Sequence, residues 1–323
     1  MGFVRTVEED DRIDWVAAIP FLAVHVLAVV GVWRLGFSWK GVGIAVFCYY
    51  LRMFAVTAGY HRYFAHKTYK TSRAFQFLLA LLAQSSTQKG ALWWAAHHRN
   101  HHKYSDKPED IHSMKLRGFI WSHFGWILMH KYDATEWQEI QDFAKYPELR
   151  WLNRYHVVPT LLLSTTLYLL GGWTWLVWGY FVSTSFLWHG TFTINSLSHW
   201  LGRRRYATTD ESRNSFFLAL VTMGEGWHNN HHYFPKSTSQ GFYWWEIDMS
   251  YYILRALSVV GVVWDLETIP KKIRDRRMVR RTRSAEPAVV SESTNAIATE
   301  SLPVLVPELV PELVPELVPD LVP

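Results

Sequence analysis

Histidine is the residue whose type and spacing in this chain could do chemistry: there are 16 in 323 residues, most of them in groups. His98, His101 and His102 stand at i, i+3 and i+4 in His-Arg-Asn-His-His, which puts all three on one helix face. His228, His231 and His232 repeat that spacing in His-Asn-Asn-His-His. His61 and His66 are five apart, about 140° around an α-helix, so they share a target only near a helix end or a distortion. Asn195 and His199 add an i, i+4 pair. Imidazoles grouped in this way have one strong physical use, holding metal; uncoordinated, they repel one another whenever protonated. Nine histidines exceed what one tetrahedral zinc with an open position takes, and they suffice for two ions with four or five nitrogens each. The ligand type suits zinc, copper, iron or nickel. Asp106, Glu109, Asp110 and Glu225 are placed to accept the second ring N–H of such ligands. A single cysteine, Cys48, rules out a disulfide framework and thiolate metal sites. Of the other histidines, His25 reads as a neutral core residue and His97 as a neighbour of the ligands. His112, His123, His130, His156 and His189 read as structural or surface residues.

The elements that must position these groups are apolar. No charge interrupts the 19 positions from Trp15 to Trp33, close to the roughly 20 apolar residues that cross a bilayer as helix. The acidic run Glu8 to Asp11 before it is the opposite of a cleaved signal's basic start. Gly41 to Ala58 is a second span, with Arg52 expected to snorkel toward the interface. Val157 to Ser198 holds 42 residues without a charge, and Gly171-Gly172 splits it into a hairpin of two spans. Ala74 to Ala83 is too short to cross and reads as an interfacial helix. The expected fold is therefore an all-α integral membrane protein, with four transmembrane helices in two hairpins and a helical di-metal domain on one side. Residues 61–155 carry 14 Lys and Arg and the residues from 199 onward another 14, so the positive-inside rule places both termini and every histidine group in the cytoplasm.

The net charge of +5 is mild for this length and no basic stripe accompanies a recognition motif, which argues against nucleic acid as a partner. Lys271 to Arg283 packs eight basic residues around Asp275, a composition that attracts anionic headgroups. Beyond it, Leu-Val-Pro-Glu repeats from Leu305 to Asp320, and proline at every fourth position forbids helix. Two domains follow: residues 1–283 as the membrane domain and 284–323 as a low-complexity, disordered tail.

The filled-in motifs resemble those of the membrane-bound fatty acid desaturases, in particular the acyl-CoA (stearoyl-CoA) Δ9 branch. The matching stretches are Thr57-Ala-Gly-Tyr-His-Arg-Tyr-Phe-Ala-His66, His98-Arg-Asn-His-His-Lys-Tyr-Ser105 and Ser122-His-Phe-Gly-Trp126. Asn195-Ser-Leu-Ser-His199 and Gly224-Glu-Gly-Trp-His-Asn-Asn-His-His-Tyr-Phe-Pro235 complete the set. The resemblance covers roughly residues 15–265. It implies a di-iron centre on the cytoplasmic side, with His61, His66, His98, His102 and His231 on one iron. His101, His199, His228 and His232 would bind the other, with Asn195 holding a water on it. The chain departs from the family at Ala96-His97, where a basic residue and an aspartate are common. Lys131 and Arg203-Arg204-Arg205 are the candidates for contact with substrate phosphate.

The resemblance further implies O2 as co-substrate and insertion of a cis double bond into a saturated acyl chain, most readily an acyl-CoA. No flavin, haem or cluster motif is present, so electrons would come from a ferredoxin-like or cytochrome b5-like partner. Two other readings fit parts of the pattern. One is a sister di-iron hydroxylase with the same histidine boxes. The other is a histidine-rich membrane metal transporter, although such proteins line a path at mid-membrane and these groups sit beside the spans among charged residues.

Overall fold

The computed structural model describes residues 12–276 and residue 278. The expectations for the Leu-Val-Pro-Glu tail and for most of the basic run after Arg276 lie outside the described residues. What is described is mostly helical. Three helical runs are long and apolar enough to cross a membrane: Ala18–Leu35, Trp39–Ala65 and Val158–His199. Gly36, at φ 76°, ends the first, and the Ser38 side chain caps the second by accepting from the Gly41 N–H.

The third run is not one straight rod. Gly171 (φ −145°, ψ 16°) and Gly172 (φ 60°, ψ −153°) leave helical geometry, and Gly172 occupies a region where a β-carbon is strained. The chain doubles back there. Tyr180 and Thr160, on opposite sides of the turn, both reach the Thr87 hydroxyl, at 3.1 and 3.0 Å. Leu167 and Tyr180 pack in one apolar cluster with Cys48 of the second run. The expected hairpin is thus present as a helical hairpin.

The second run changes character along its length. Trp39–Phe54 is α-helical and Ala55–Ala65 is a π-helix, buried at every position. Arg52, expected at the interface, is instead 1% exposed. Its guanidinium donates to the carbonyls of Cys48 and Ser85 and to the hydroxyls of Thr184 and Ser183. Hydroxyl and carbonyl acceptors from three neighbouring segments satisfy its donors inside the bundle, and a buried guanidinium so paired gains nothing by snorkelling.

The short apolar segment forms the helix Arg73–Gln84, capped by Ser72, with Leu79, Ala80 and Ala83 buried and Leu78 exposed. Two two-residue strands depart from an all-α fold: Lys70–Thr71 pairs antiparallel with Val263–Trp264, joining the end of the π-helical segment to the last part of the fold. The helices Ala91–Tyr104 and His228–Tyr233 carry the two His-x-x-His-His motifs.

Candidate metal centre

The π-helix resolves the awkward spacing of the first pair. In this helix hydrogen bonds run from i to i+5, and the His66 N–H donates to the His61 carbonyl at 3.1 Å. Residues five apart therefore stack, and the two rings lie 4.8 Å apart, edge to face. The helix Ala91–Tyr104 brings His98 and His102 to them, one turn apart. The short helix His228–Tyr233 adds His231 from the opposite side.

Their Nε2 atoms converge. His98 lies 3.0 Å from His66 and 3.0 Å from His102; His231 lies 2.9 Å from His102 and 3.0 Å from His61. His101, one residue from His102, points away to a second group with His199, His228 and His232. There His199 and His228 face each other at 3.1 Å. In each group all ligand atoms fall within 4.8 Å of one another.

This spacing is what a metal shell requires. Nitrogens about 2.1 Å from an ion, at right angles, stand about 3 Å apart. Hydrogen bonding alone does not account for it, since one neutral ring carries one N–H and cannot satisfy several facing Nε2 atoms. The buried Nε2 of His232 has no hydrogen-bond partner, and its Nδ1 is already engaged. Burial, then the neighbouring imidazoles, hold His66, His98, His102, His228 and His231 well below the usual histidine range, which keeps the rings neutral as ligands must be.

Carboxylates brace the outer nitrogens. Glu225 lies 2.5 Å from His61 Nδ1, Asp110 2.9 Å from His101 Nδ1, Asp210 2.7 Å from His232 Nδ1, and Asp106 3.5 Å from His199 Nδ1. At His61, His101 and His232 the carboxylate accepts the Nδ1 proton, which leaves the Nε2 lone pair free for an ion. Burial works to raise the Asp106 carboxyl, but the contacts with His199 and the Glu211 N–H outweigh it and bring it to about 2. Asp110 and Asp210 are held low in the same way by His101 and His232. Burial also works against a charged His101, yet Asp110 raises it. Glu225 is itself fixed by the buried Arg62, which donates to it at 3.0 Å and to Asp248 at 3.0 Å. Gly224, at φ 120°, lets this pair approach, since a β-carbon there would meet Asp248 Oδ1 at 2.4 Å.

Asp210 and Gln240 are missing from the sequence reading. Gln240 donates to Glu225 at 2.7 Å. Glu109, one of the four acids expected to serve, is exposed. His112 joins His101 and Asp110 in a third, buried group. His97 stays outside the groups, bonded through Nδ1 to the Trp93 carbonyl at 3.0 Å. Arg203 pairs through its backbone with Asn214, Arg204 contacts Glu211 at 3.4 Å, and Arg205 contacts Glu246 at 2.6 Å and stacks on Tyr243. Lys131 lies 5.0 Å from the Tyr132 ring.

A cavity of about 600 Å³ opens beside the centre. His98 and Asn195 form part of its wall, and Phe21, Val24, Trp188 and Phe192 give it an apolar lining. Thr160 and Tyr180 line it where the third run doubles back. Lys89, Asp133 and His156 add a polar section, in which Lys89 is paired with Asp133 at 2.5 Å. Neither Lys131 nor Arg203, Arg204 or Arg205 lines this cavity.

A family model described as fatty acid desaturase matches residues 37–263. The chain is 34% identical over 263 residues to an sn-1 stearoyl-lipid 9-desaturase of Anabaena variabilis, covering 81% of this chain and 96% of that protein. It is 34% identical over 286 residues to an acyl-CoA C20 Delta5-desaturase of Anemone leveillei, covering 85% and 91%. A Delta-9 acyl-lipid desaturase 2 of Arabidopsis thaliana is 34% identical over 270 residues, covering 83% and 87%.

Proposed function

The chain belongs to the fatty acid desaturase family, and from that premise we propose that it inserts a cis double bond, at Δ9, into a long saturated acyl chain held in the cavity beside the two histidine groups. The observation that carries the reading is the meeting of two things at one wall: His98 belongs both to the histidine-lined centre and to the apolar cavity.

In this reading His61, His66, His98, His102 and His231 hold one iron, and His101, His199, His228 and His232 hold the other, with Asn195 positioning a water. Bound iron would supply the activation of O2 that imidazole alone cannot. The reaction consumes O2, two electrons and two protons, removes two hydrogens from adjacent methylenes, and releases two waters. The chain's own share is to aim the nine rings, to keep His66, His98, His102, His228 and His231 neutral, and to exclude water from the methylenes behind Phe21, Trp188 and Phe192. Electrons come from a separate ferredoxin-like or cytochrome b5-like protein, in keeping with a sequence that carries no flavin, haem or cluster motif.

The acyl group we place on a membrane lipid. The cavity's one lysine is matched by Asp133, and Arg204 and Arg205 face Glu211 and Glu246, so these three cations are already paired with carboxylates before a phosphate of CoA could reach them. The second reading, acyl-CoA, has the Anemone relative in its favour. We further propose four spans, because 42 residues of continuous helix would measure about 63 Å, twice a bilayer's hydrocarbon core. Both termini and the histidine groups then lie in the cytoplasm, a placement that the lysine and arginine distribution favours.

Fatty-acid profiling by mass spectrometry, resolved by lipid class, tests this in aerobic cells supplied with donor proteins. Cells expressing the chain should gain a Δ9 monounsaturated acid in glycerolipids within a short label chase, and cells expressing His101→Ala should not. A hydroxylated acid, or an unchanged profile despite donors, refutes the desaturase proposal. Label appearing first in the acyl-CoA pool would move the carrier to CoA.

A further inference from the structure

Three more imidazoles run through the helical bundle, apart from the two groups. His25 lies in the helix Trp15–Leu35, His189 in Ser183–Asn195, and His123 in the π-helical turn Trp121–Gly125. His25 Nδ1 is 2.7 Å from the Phe21 carbonyl, and its Nε2 is 3.2 Å from His189 Nε2. His189 Nδ1 is 2.9 Å from His123 Nε2, and His123 Nδ1 is 2.8 Å from the Ser196 hydroxyl.

One end fixes the direction of the whole chain. A carbonyl oxygen only accepts, so the proton of His25 sits on Nδ1 and its Nε2 is a lone pair. That lone pair accepts from His189 Nε2–H, which makes His189 Nδ1 an acceptor for His123 Nε2–H. His123 Nδ1 is then left to accept from Ser196. Four links need four protons, and three neutral rings with one hydroxyl supply four.

Ser196 is fully buried and sits where helix Ser183–Asn195 ends and the turn Leu197–His199 begins. Its own i−4 carbonyl, Phe192, lies 2.9 Å from the hydroxyl and competes for the same proton. Back-bonding of this kind bends helix ends. We infer that His123 is a positioning residue: by drawing the Ser196 hydroxyl away from Phe192, it sets the helix end that aims Asn195 and His199 at the second histidine group. His189 and His25 hold His123 in the tautomer that does this. The inference rests on the di-iron reading for its consequence, and on the hydrogen-bond chain alone for its geometry.

Two measurements test it on the full-length chain. The first is ¹⁵N NMR of the metal-free, histidine-labelled protein, with His123→Asn identifying the signal. A proton on Nε2 of His123 and a bare Nδ1 are expected; a proton on Nδ1 overturns the inference. The second compares His123→Leu with His123→Asn, whose side-chain oxygen can replace Nδ1 as acceptor. The leucine variant should fall from two to about one iron per chain and lose about tenfold in kcat with KM for the acyl lipid unchanged, and the asparagine variant should recover most of both. Equal behaviour of the two variants, intact or impaired, overturns it. A wild-type chain that binds no iron refutes the di-iron reading instead, and the NMR result still decides the chain.

Discussion

The two histidine groups share nine rings of one chemistry but are held in different ways. The five-membered group is built by packing: a π-helix stacks His61 on His66, one helical turn separates His98 from His102, and His231 closes the set. Only His61 among them leans on a carboxylate, Glu225. In the four-membered group two rings are hydrogen-bonded to carboxylates, His101 to Asp110 and His232 to Asp210, and His199 faces Asp106 at 3.5 Å. The first group is therefore rigid because its backbone is unusual, and the second because its outer nitrogens are tied. Loss of a ring should empty either group, whereas loss of a carboxylate brace in the second should weaken its hold on an ion by degrees.

The largest effect is expected from His98→Ala. That ring touches His66 and His102 and also faces the cavity, so activity should vanish and one iron per chain should be lost while the other remains, measured by elemental analysis of the purified variant. Next comes Glu225→Gln. It weakens the brace on His61 and leaves Arg62 with one charged partner in place of two, so thermal unfolding should report a loss of about 3 kcal/mol, the scale for breaking a buried ion pair. Asp210→Asn should be milder for folding and specific for metal. Iron affinity of the second group should drop about 10–100-fold in a chelator competition, with the first group unchanged. Glu109→Gln should alter neither group by that assay, since Glu109 is exposed. An equal response of both groups to Asp210→Asn would erase the distinction between them.

Most of what places the centre is readable in the sequence, because charge-free runs and histidine spacing are local signals. The turn at Gly171-Gly172 is visible from the glycine pair alone. The i, i+5 spacing of His61 and His66 signals that an α-helix is the wrong geometry there, although only the structure identifies the distortion as a π-helix. Asp106 and Asp110 are legible because they follow His101 closely in the chain. Asp210 is not, because a loop returns it to His232 from 22 positions away, and no periodicity marks such a contact. Arg52 misleads for a related reason: three of its four acceptors come from Ser85, Ser183 and Thr184, all remote in sequence. The chain His25–His189–His123 joins three elements, and each of its members alone looks like an ordinary core residue.

The central claim is that two ions of one metal sit in two separately built groups. Elemental analysis of the full-length chain, purified in detergent from iron-replete aerobic cells, tests it directly. The account predicts two irons per chain, falling to one in His98→Ala and to one in His228→Ala. A single ion in the wild type, or the loss of both ions in either variant, would contradict it.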